Sequence, residues 1–338
     1  MGRNVCFLVM ALIALVTLAA TGCGREEGPL RKVVFMAGFK AQANLPFVAA
    51  YVAREKGYFA DQGLDVDMRH STGQHLQLLM SGDVDFTTAD ANSVLKRRAG
   101  DPMLPIVAIA LFGQRGQQAF IVLKESGIQT PKDWEGKTFG YKTSVPPDYL
   151  AILKAAGVDR SRIKEVAVGF DPRILVEKKL DILAVFKSNE PDVLRGLGHE
   201  VRVFDPADYG VPTLGLTYIT REDLIQKDPD TVRRFIKATM KGLEFAFNNR
   251  EEALDIVMKY ADKEERGHMG FMMQKEMEDA VSPLTEKYGL GWMSEEQWQA
   301  FHDSLLEYQA LPGSVDVKSA FTDRFLKEIY RGGKLRWP

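Results

Sequence analysis

Cysteine is almost absent from this sequence: Cys6 and Cys23 are the only two among 338 residues. Cys6 lies inside an apolar run at the N-terminus, and Cys23 follows that run directly. If the chain is processed at Cys23, the one cysteine that remains stands at the new N-terminus. This excludes internal disulfides, thiol catalysis and cysteine-based metal sites.

Several enzyme signatures are also missing. The sequence contains no phosphate-binding P-loop, no G-x-S-x-G, no H-E-x-x-H and no G-x-G-x-x-G after a strand. His70 and His75 are close in sequence, but a metal site would need further ligands, so we expect none there. Positive and negative charges are nearly balanced as well. The net charge of −2 gives no electrostatic reason to bind nucleic acid or an anionic membrane surface.

The N-terminus carries the longest apolar run. This run extends from Val5 to Ala20, follows Arg3 and meets no further charge until Arg25. It is too short for a comfortable membrane span and has the shape of a signal peptide. We therefore predict that residues 1–22 are a signal peptide.

Small residues at 19–22 lead directly into Cys23. This pattern resembles the bacterial lipobox, in which the cysteine is diacylated and becomes the new N-terminus. The resemblance implies a chain anchored by lipid to the extracytoplasmic face of the cell membrane, with residues 23–31 as a lipidated tether. A signal anchor, or cleavage without lipidation, is the alternative.

Strands and helices alternate from Lys32 to Asp90. The pattern predicts strands near 33–37 and 64–66, helices at 47–56 and 76–80, and a third strand reached through 82–86. Two consecutive βα units indicate a parallel sheet with covered faces. Ligands bind outside the carboxyl ends of such strands, so the candidate loops are 39–46, 71–74 and 87–92.

A second region begins where the apolar run from Ile106 to Phe112 is interrupted by polar residues and glycines before it resumes at Ala119. Such an interruption is typical of a strand that crosses between lobes. Three more βα units follow, and 209–220 is interpreted as a second crossing strand. From Pro229 the pattern is helical, with helices predicted at 230–248, 250–260, 268–280, 294–308 and 317–330.

Together these patterns predict an α/β fold with two lobes, each a mostly parallel sheet flanked by helices, joined by two crossing strands. Lobe 1 is discontinuous and comprises 32–114 and 215–338, while lobe 2 is the insertion 115–214. This is the arrangement of a binding protein that closes about a hinge. A ligand would then lie in the cleft between the lobes.

The first wall of that cleft is predicted from the strand-end loops. Phe39 is placed to stack on a planar ring, and the amides of Gln42 and Asn44 suit ring carbonyl and N–H groups. Ser71 and Asp90 follow the second and third strands. A core or solvated-loop role is the alternative for these side chains.

The first crossing carries a polar cluster that includes Gln114, Arg115 and Gln117. Long polar side chains are costly when they are buried unpaired, so a ligand or the other lobe is expected to satisfy them. Arg115 suits an anionic group of the ligand or, equally, an acidic residue across the cleft.

The second wall is predicted from Tyr141, Lys142 and Ser144, which precede a helix N-terminus. Asn189 and Glu190, after the strand that ends at Phe186, complete it. A Glu190 that faces the cleft would suit a ligand with hydroxyl or amine donors and disfavour a sulfonate or nitrate.

Several segments resemble a known family. These are YVAREKGYFADQGLDVD, LLMSGDVDFTTAD, PKDWEGKTFGYK and VFKSNEPDVL. They are similar to the solute-binding lipoproteins of ABC importers that capture taurine, nitrate, thiamine-pyrimidine precursors or riboflavin. The segment from Gly140 to Leu194 is closer to the vitamin branch, and most similar to riboflavin binders. The resemblance implies a type II periplasmic-binding-protein fold, a membrane permease as partner, and no catalytic residue, cofactor or metal.

Alternatives remain within and outside this resemblance. A hydroxymethylpyrimidine-type thiamine precursor is the next ligand, followed by taurine or nitrate. From other classes, a pyrimidine-synthesising enzyme shares the fold but requires a cysteine-rich motif that this sequence lacks. A sensory lipoprotein that binds a ligand without a permease is the other alternative.

Overall fold

A computed structural model describes residues 29–338, in which two five-stranded sheets form the frame. The predicted signal peptide and most of the predicted tether, with Cys23, lie outside the described residues. In the first sheet the strand order is β2-β1-β3-β10-β4, with bounds β1 Arg31–Ala37, β2 Leu64–His70, β3 Phe86–Asp90, β4 Ile106–Leu111 and β10 Leu216–Arg221. In the second the order is β7-β6-β8-β5-β9, with bounds β5 Gln118–Leu123, β6 Thr138–Tyr141, β7 Lys164–Ala167, β8 Ile182–Phe186 and β9 Val201–Phe204.

Each sheet is mostly parallel, as predicted: four of its five strands run in one direction, and the fifth, β10 or β5, is reversed. β1 runs parallel to β2 and β3, whereas β10 pairs antiparallel with β3 and β4. The second sheet repeats this plan, with β6 parallel to β7 and β8, and β5 antiparallel to β8 and β9. The strands of the predicted βα units are parallel, and the strands that enter from the other sheet reverse direction because no helical crossover precedes them.

The longer helices follow the predicted pattern, with one clear exception, and the six-residue helices Glu222–Lys227 and Pro283–Tyr288 were not predicted. None of those within 29–338 is long and apolar enough to cross a bilayer. They are α1 Leu45–Glu55, α2 Tyr58–Asp61, α3 His75–Ser81, α4 Ala91–Arg98, α5 Pro147–Ala155, α6 Arg173–Val176, α7 Glu190–Gly196, α8 Glu222–Lys227, α9 Pro229–Asn248, α10 Arg250–Tyr260, α11 Arg266–Asp279, α12 Pro283–Tyr288, α13 Glu295–Glu307, α14 Val317–Ala320 and α15 Arg324–Ile329.

The exception is the single helix predicted at 317–330, which is wrong. α14 and α15 are separated at Phe321, which bridges to Ala108 of β4, and the amide N of Thr322 donates to the Ala108 oxygen at 2.9 Å. The Phe321 ring stacks on Trp298 with centroids 5.2 Å apart. Tertiary pairing therefore replaces the helical hydrogen bonds here. A short hairpin, β11 Tyr330–Arg331 and β12 Lys334–Leu335, follows α15.

The first core is centred on the contact between α1 and α9. Nine residues of α1 are buried, from Leu45 to Ala53. Phe235 of α9 stacks on Phe86 of β3 at 4.0 Å between ring centroids. The helices approach so closely that a Cβ on Gly242 would lie 2.2 Å from the carbonyl oxygen of Ala49. Only glycine fits at that position.

The two segments that connect the sheets run side by side. The amide N of Gly215 donates to the Gly113 oxygen at 2.9 Å, and that of Phe112 donates to the Leu216 oxygen at 2.8 Å. A Cβ on Gly113 would lie 2.8 Å from the Gly215 Cα. The backbones are therefore in direct contact where the chain passes from one sheet to the other.

Candidate functional site

A cavity of about 350 Å³ lies where the strand ends of the two sheets face each other. A second cavity of about 100 Å³ adjoins it and shares five lining residues with it, among them Ser144 and Phe186. Polar side chains and aromatic rings both contribute to the walls. Those that matter below are Asp90, Asn92, Gln117, Ser144, Asp148 and Phe186 in the larger cavity, and Lys142 and Phe170 in the smaller one.

Two carboxylates face the larger cavity from opposite sides. Asp90 is the last residue of β3, and Asp148 lies in the first turn of α5. Burial raises the pKa of Asp90 to about 6. Burial also raises the pKa of Asp148 to about 7, and the charges of Asp90 and Asp205 add to that shift while Lys187 opposes it. No hydrogen bond from a described residue stabilises either charge.

A third polar group in this wall is also unpaired. The side-chain oxygen Oδ1 of Asn92, in the first turn of α4, is buried and has no hydrogen-bond partner among residues 29–338. Such a group usually indicates a missing partner, because a buried acceptor left unpaired costs about 1–3 kcal/mol. Asn92 and Asp90 thus lie in the same wall, although the Asn92 oxygen itself is covered by protein.

An aromatic edge with one cation lies beside the smaller cavity. Phe186, at the end of β8, is 44% exposed, and Phe170 is 71% exposed. The Lys142 ammonium lies 5.1 Å from the Phe186 ring centroid and 5.5 Å from that of Phe170. The same ammonium forms an ion pair with the buried carboxylate of Glu190. Lys142 is therefore held in place between a carboxylate and two rings.

Glu276 of α11 connects the two sheets below the cavity. Its carboxylate accepts hydrogen bonds from the amide N of Leu45 at 2.7 Å, from Gln117 Nε2 at 2.9 Å, and from the side-chain amide of Asn44. Ser188, directly after β8, donates to it at 3.5 Å. Burial raises the pKa of Glu276 to about 7, and the bonds from Leu45, Asn44 and Gln117 oppose that shift.

A network of charges continues from Glu276. Lys187 Nζ lies 2.6 Å from Asp205 and 2.9 Å from Asp279, and Arg115 lies 2.9 Å from the same Asp205. Arg115 also pairs with Asp208. Burial raises the pKa of Asp279 to about 6, opposed by Lys187. Arg115 therefore pairs with acidic residues of its own predicted lobe, 115–214, and not with a residue across the cleft.

Four of the residues singled out in the sequence line the two cavities. Asp90, Gln117 and Ser144 contact the larger one, and Lys142 and Ser144 contact the smaller one. Phe39, Gln42 and Tyr141 line neither, and Phe39 is 55% exposed.

The remaining candidates are engaged by the protein itself. Ser71 Oγ lies 3.0 Å from Nδ1 of His75, and Gln114 Nε2 donates to the Trp292 oxygen at 2.9 Å. Asn189 Oδ1 lies 2.9 Å from Nε2 of His268. Asn44, Arg115 and Glu190 are held by Glu276, by two aspartates and by Lys142 respectively.

Sequence reasoning missed Asn92, Asp148, Phe186 and Glu276. Asp148 follows Pro146-Pro147 at a helix start, which is the one local signal that could have identified it. Phe186 was assigned to a strand, and Glu276 lies inside a helix between buried methionines. Only tertiary packing brings these two to the site.

Comparisons with known proteins relate the whole fold to binding proteins. The sequence profile of the family described as NMT1/THI5 like matches residues 44–253. The riboflavin-binding protein RibY of Chloroflexus aurantiacus is 28% identical over 295 residues, which cover 84% of this chain and 83% of that protein. The formylaminopyrimidine-binding protein of Halalkalibacterium halodurans is 28% identical over 330 residues, which cover 93% and 97%.

Among solved structures, the periplasmic aliphatic sulphonate binding protein SsuA from Escherichia coli has a similar fold. It superimposes with a TM-score of 0.64 at 14% identity, covering 86% of this chain and 91% of that one. At this identity the similarity concerns the fold alone. It confirms the predicted periplasmic-binding-protein fold.

Proposed function

We propose, since the chain belongs to the NMT1/THI5-like family, that it captures a planar heterocyclic vitamin, riboflavin, and delivers it to the permease of an ABC importer. The chain is a binding protein and not an enzyme, in keeping with the names of the two relatives. The proposed binding site is the pair of adjoining cavities between the sheets. Residues 32–114 with 215–338, and 115–214, are the two lobes that close on the ligand.

The observation that carries the proposal is an open cavity with an aromatic edge. Its volume of about 350 Å³ is within the range of about 300–1,000 Å³ usual for small-molecule sites. Phe186 and Phe170 offer exposed ring faces beside it. A planar ring stacked on them gains about 0.5–1.5 kcal/mol beyond the burial of its surface.

Polar groups around the ring position suit a heterocycle. Gln117 and Ser144 provide amide and hydroxyl groups that both donate and accept hydrogen bonds. Asp90 and Asp148 provide acceptors for N–H or O–H donors farther along the cavity. A ring with a hydroxylated chain, as in riboflavin, matches this division between an aromatic and an acceptor-rich end.

Taurine and nitrate fit this cavity poorly. Both are recognised through their anionic group, yet the Lys142, Lys187 and Arg115 side chains are already paired with carboxylates. Lys96, an exposed residue of α4, is the remaining cation in the wall of the larger cavity. The unpaired Asp90 and Asp148 would repel an anion.

A second candidate ligand is formylaminopyrimidine. It is favoured by the relative that matches nearly the full length of this chain, and its amino group would suit the acceptors at Asp90 and Asp148. It is smaller than riboflavin and would leave more of the two adjoining cavities unfilled.

The proposal includes the place of the protein in the cell. We infer that the chain lies at the extracytoplasmic face of the cell membrane and is anchored by lipid at Cys23. Mass spectrometry of the membrane-extracted protein tests the anchor, because a diacylated N-terminal Cys23 has a defined mass. Co-purification with a permease separates the transport role from that of a sensory lipoprotein.

Equilibrium titration of the purified protein tests the ligand. We expect riboflavin to bind saturably with quenching of flavin fluorescence, and to raise the melting temperature with concentration. Phe186→Ala should weaken riboflavin binding by roughly 5- to 30-fold, corresponding to about 1–2 kcal/mol of stacking and burial. Formylaminopyrimidine, taurine and nitrate complete the panel.

Phe39→Ala is the matched control, because Phe39 is a similarly exposed ring that contacts neither cavity. It should bind riboflavin like the wild type. Loss of affinity in Phe39→Ala with none in Phe186→Ala would move the site to the loop that follows β1. Binding of formylaminopyrimidine alone would replace the ligand and keep the importer.

A further inference from the structure

We infer that the larger cavity accepts a ligand whose polar end donates hydrogen bonds or is positively charged, and rejects a ligand that carries a phosphate at that end. The selecting groups are Asp90 and Asp148, which face this volume from the two walls. This inference rests on the proposed function, since it concerns the ligand of the same site. It adds the charge class of the ligand and predicts a preference for riboflavin over flavin mononucleotide.

The first step is that the two carboxylates belong to opposite walls of one cavity. Asp90 ends β3 of the first sheet, whereas Asp148 lies in α5, which packs on the second. They are close enough for the charge of Asp90 to disfavour ionisation of Asp148. A group placed between them is therefore within reach of both walls, and its charge acts on both.

The second step is that the protein provides no partner for these charges. Their ionisation is opposed by burial, and no described residue donates a hydrogen bond to either. The buried oxygen of Asn92 nearby is likewise without a donor. That oxygen is covered by protein, so the groups that a ligand can reach are the two aspartates, which are acceptors when they are ionised.

The third step is that nearby cations are already neutralised. Lys187 is shared between Asp205 and Asp279, and Lys142 is paired with Glu190. Of these two lysines, Lys187 is the one whose charge lowers the pKa of Asp148. Burial and the charges of Asp90 and Asp205 raise that pKa by more. The cavity end at Asp90 and Asp148 therefore keeps a negative potential. Lys96 also lines this cavity, but its side chain is exposed to solvent, which screens its charge.

The chemistry of selection follows from these contacts. Hydrogen bonds from hydroxyl or N–H groups to ionised carboxylates are short and about twice as strong as neutral ones. A phosphate group brings about two negative charges to the same place and can donate to neither carboxylate when fully ionised. The terminal hydroxyl of the riboflavin chain can donate to these acceptors, whereas the phosphorylated form replaces that hydroxyl with an anion and keeps only the other chain hydroxyls as donors.

The test compares riboflavin with flavin mononucleotide at pH 8, where both aspartates are ionised. The wild type should bind riboflavin at least about 30-fold more tightly than flavin mononucleotide. Asp148→Asn and Asp90→Asn should each weaken riboflavin binding by about 10-fold. Each should also reduce the preference over flavin mononucleotide to a few fold, because one repelling charge is removed.

Asp171→Asn is the matched control: this exposed aspartate follows Phe170, pairs with Arg173 and contacts neither cavity. It should retain both wild-type dissociation constants. Equal affinity of the wild type for riboflavin and flavin mononucleotide would overturn the inference and leave the proposed function standing. The inference is also overturned if both Asp→Asn variants keep the wild-type dissociation constants for the two flavins, provided that their circular dichroism shows a folded chain.

Titration with formylaminopyrimidine distinguishes failure of the proposed ligand from failure of the selection by the carboxylates. If formylaminopyrimidine binds and riboflavin does not, the riboflavin proposal fails. The Asp90→Asn and Asp148→Asn variants are then titrated with formylaminopyrimidine, and a loss of about 10-fold supports selection by the carboxylates, whereas no loss overturns it. Failure of both compounds to bind the wild type overturns both the proposed ligand and its charge class.

Discussion

At the scale of single residues, Glu276 links more parts of the protein than any residue chosen from the sequence. Its carboxylate receives donors from the start of α1, from the first crossing and from the loop after β8. Because these donors come from both sides of the cavity, Glu276 stabilises the arrangement of the two sheets seen here. Its own burial opposes the ionised form, so the donors and the carboxylate depend on one another.

Replacement of Glu276 should therefore destabilise the fold. Glu276→Ala leaves several donors unpaired and should lower the free energy of unfolding by about 2–4 kcal/mol. Glu276→Gln keeps the shape and one acceptor and should cost about half as much. Urea denaturation followed by circular dichroism measures both. Glu278→Ala, at an exposed position of the same helix, should stay within about 0.5 kcal/mol of the wild type, and an equal loss there would contradict this role.

The candidate site could be located from the sequence only in part. The alternation of strands and helices predicts that strand ends form the walls of the site. The cavity does lie at those strand ends. Which side chains enter it does not follow. Asn44 and Gln114 have the polarity expected of ligand contacts, yet they are hydrogen-bonded within the protein. Phe186 reads as an ordinary core residue of a strand, yet it is half exposed at the cavity.

At the scale of elements, local patterns predicted most helices and strands well. The helix at Arg250–Tyr260 has the predicted bounds, because capping residues and apolar spacing agree there. β9, α8 and α12 were missed, since each has only four to six residues and so short a segment shows little periodicity. The segment after Val317 has helical spacing, but pairing of Phe321 with β4 interrupts it.

The packing of α9 on α1 gives a sharp prediction. Gly242→Ala would place a methyl group 2.2 Å from the Ala49 oxygen and 2.9 Å from the Ala53 nitrogen. Because both are backbone atoms of a buried helix, the helices must separate, and we expect a loss of at least about 2 kcal/mol of unfolding free energy. Thermal and chemical denaturation measure it.

Gly267→Ala is the matched control for this contact. Gly267 lies in the first turn of α11 and nothing approaches the position of its Cβ within 4 Å. The substitution should leave stability unchanged or raise it by up to about 1 kcal/mol, because alanine has the higher helix propensity. Similar losses in both variants would indicate that close packing is not the cause.

At the scale of the whole molecule, buried acids accumulate between the two sheets. Burial raises the pKa values of Asp90 and Asp279 to about 6, and those of Asp148 and Glu276 to about 7. Each group binds its proton more tightly in the folded than in the unfolded chain. Their joint contribution to stability is therefore present below about pH 4 and is lost as the pH rises to about 7.

Asp148→Asn should remove the contribution of Asp148 to this pH dependence of the unfolding free energy. Asp90 and Asp205 repel the Asp148 charge and Lys187 attracts it, so burial and repulsion together penalise the ionised form. Without ligand, we expect the unfolding free energy of the variant, measured relative to the wild type, to be on the order of 1–3 kcal/mol higher at pH 8 than at pH 4.5. Urea denaturation at both pH values measures this difference.

Asp171→Asn again provides the control, because the Arg173 side chain lowers the pKa of Asp171 to about 2. A depressed pKa has the opposite sign, so this variant should show no gain on going to pH 8. A pH-independent difference between Asp148→Asn and the wild type would show that Asp148 titrates normally.

The side-by-side crossings also determine where this chain could be recombined. The intervening segment leaves and re-enters the first sheet at Gly113 and Gly215, whose backbones are hydrogen-bonded at 2.9 Å. Its two ends are therefore spatial neighbours, and exchange of the whole segment between relatives leaves the first sheet intact. Two genetic breakpoints at these glycines would replace one wall of the cavity and keep the other, which is a short evolutionary route to a new ligand.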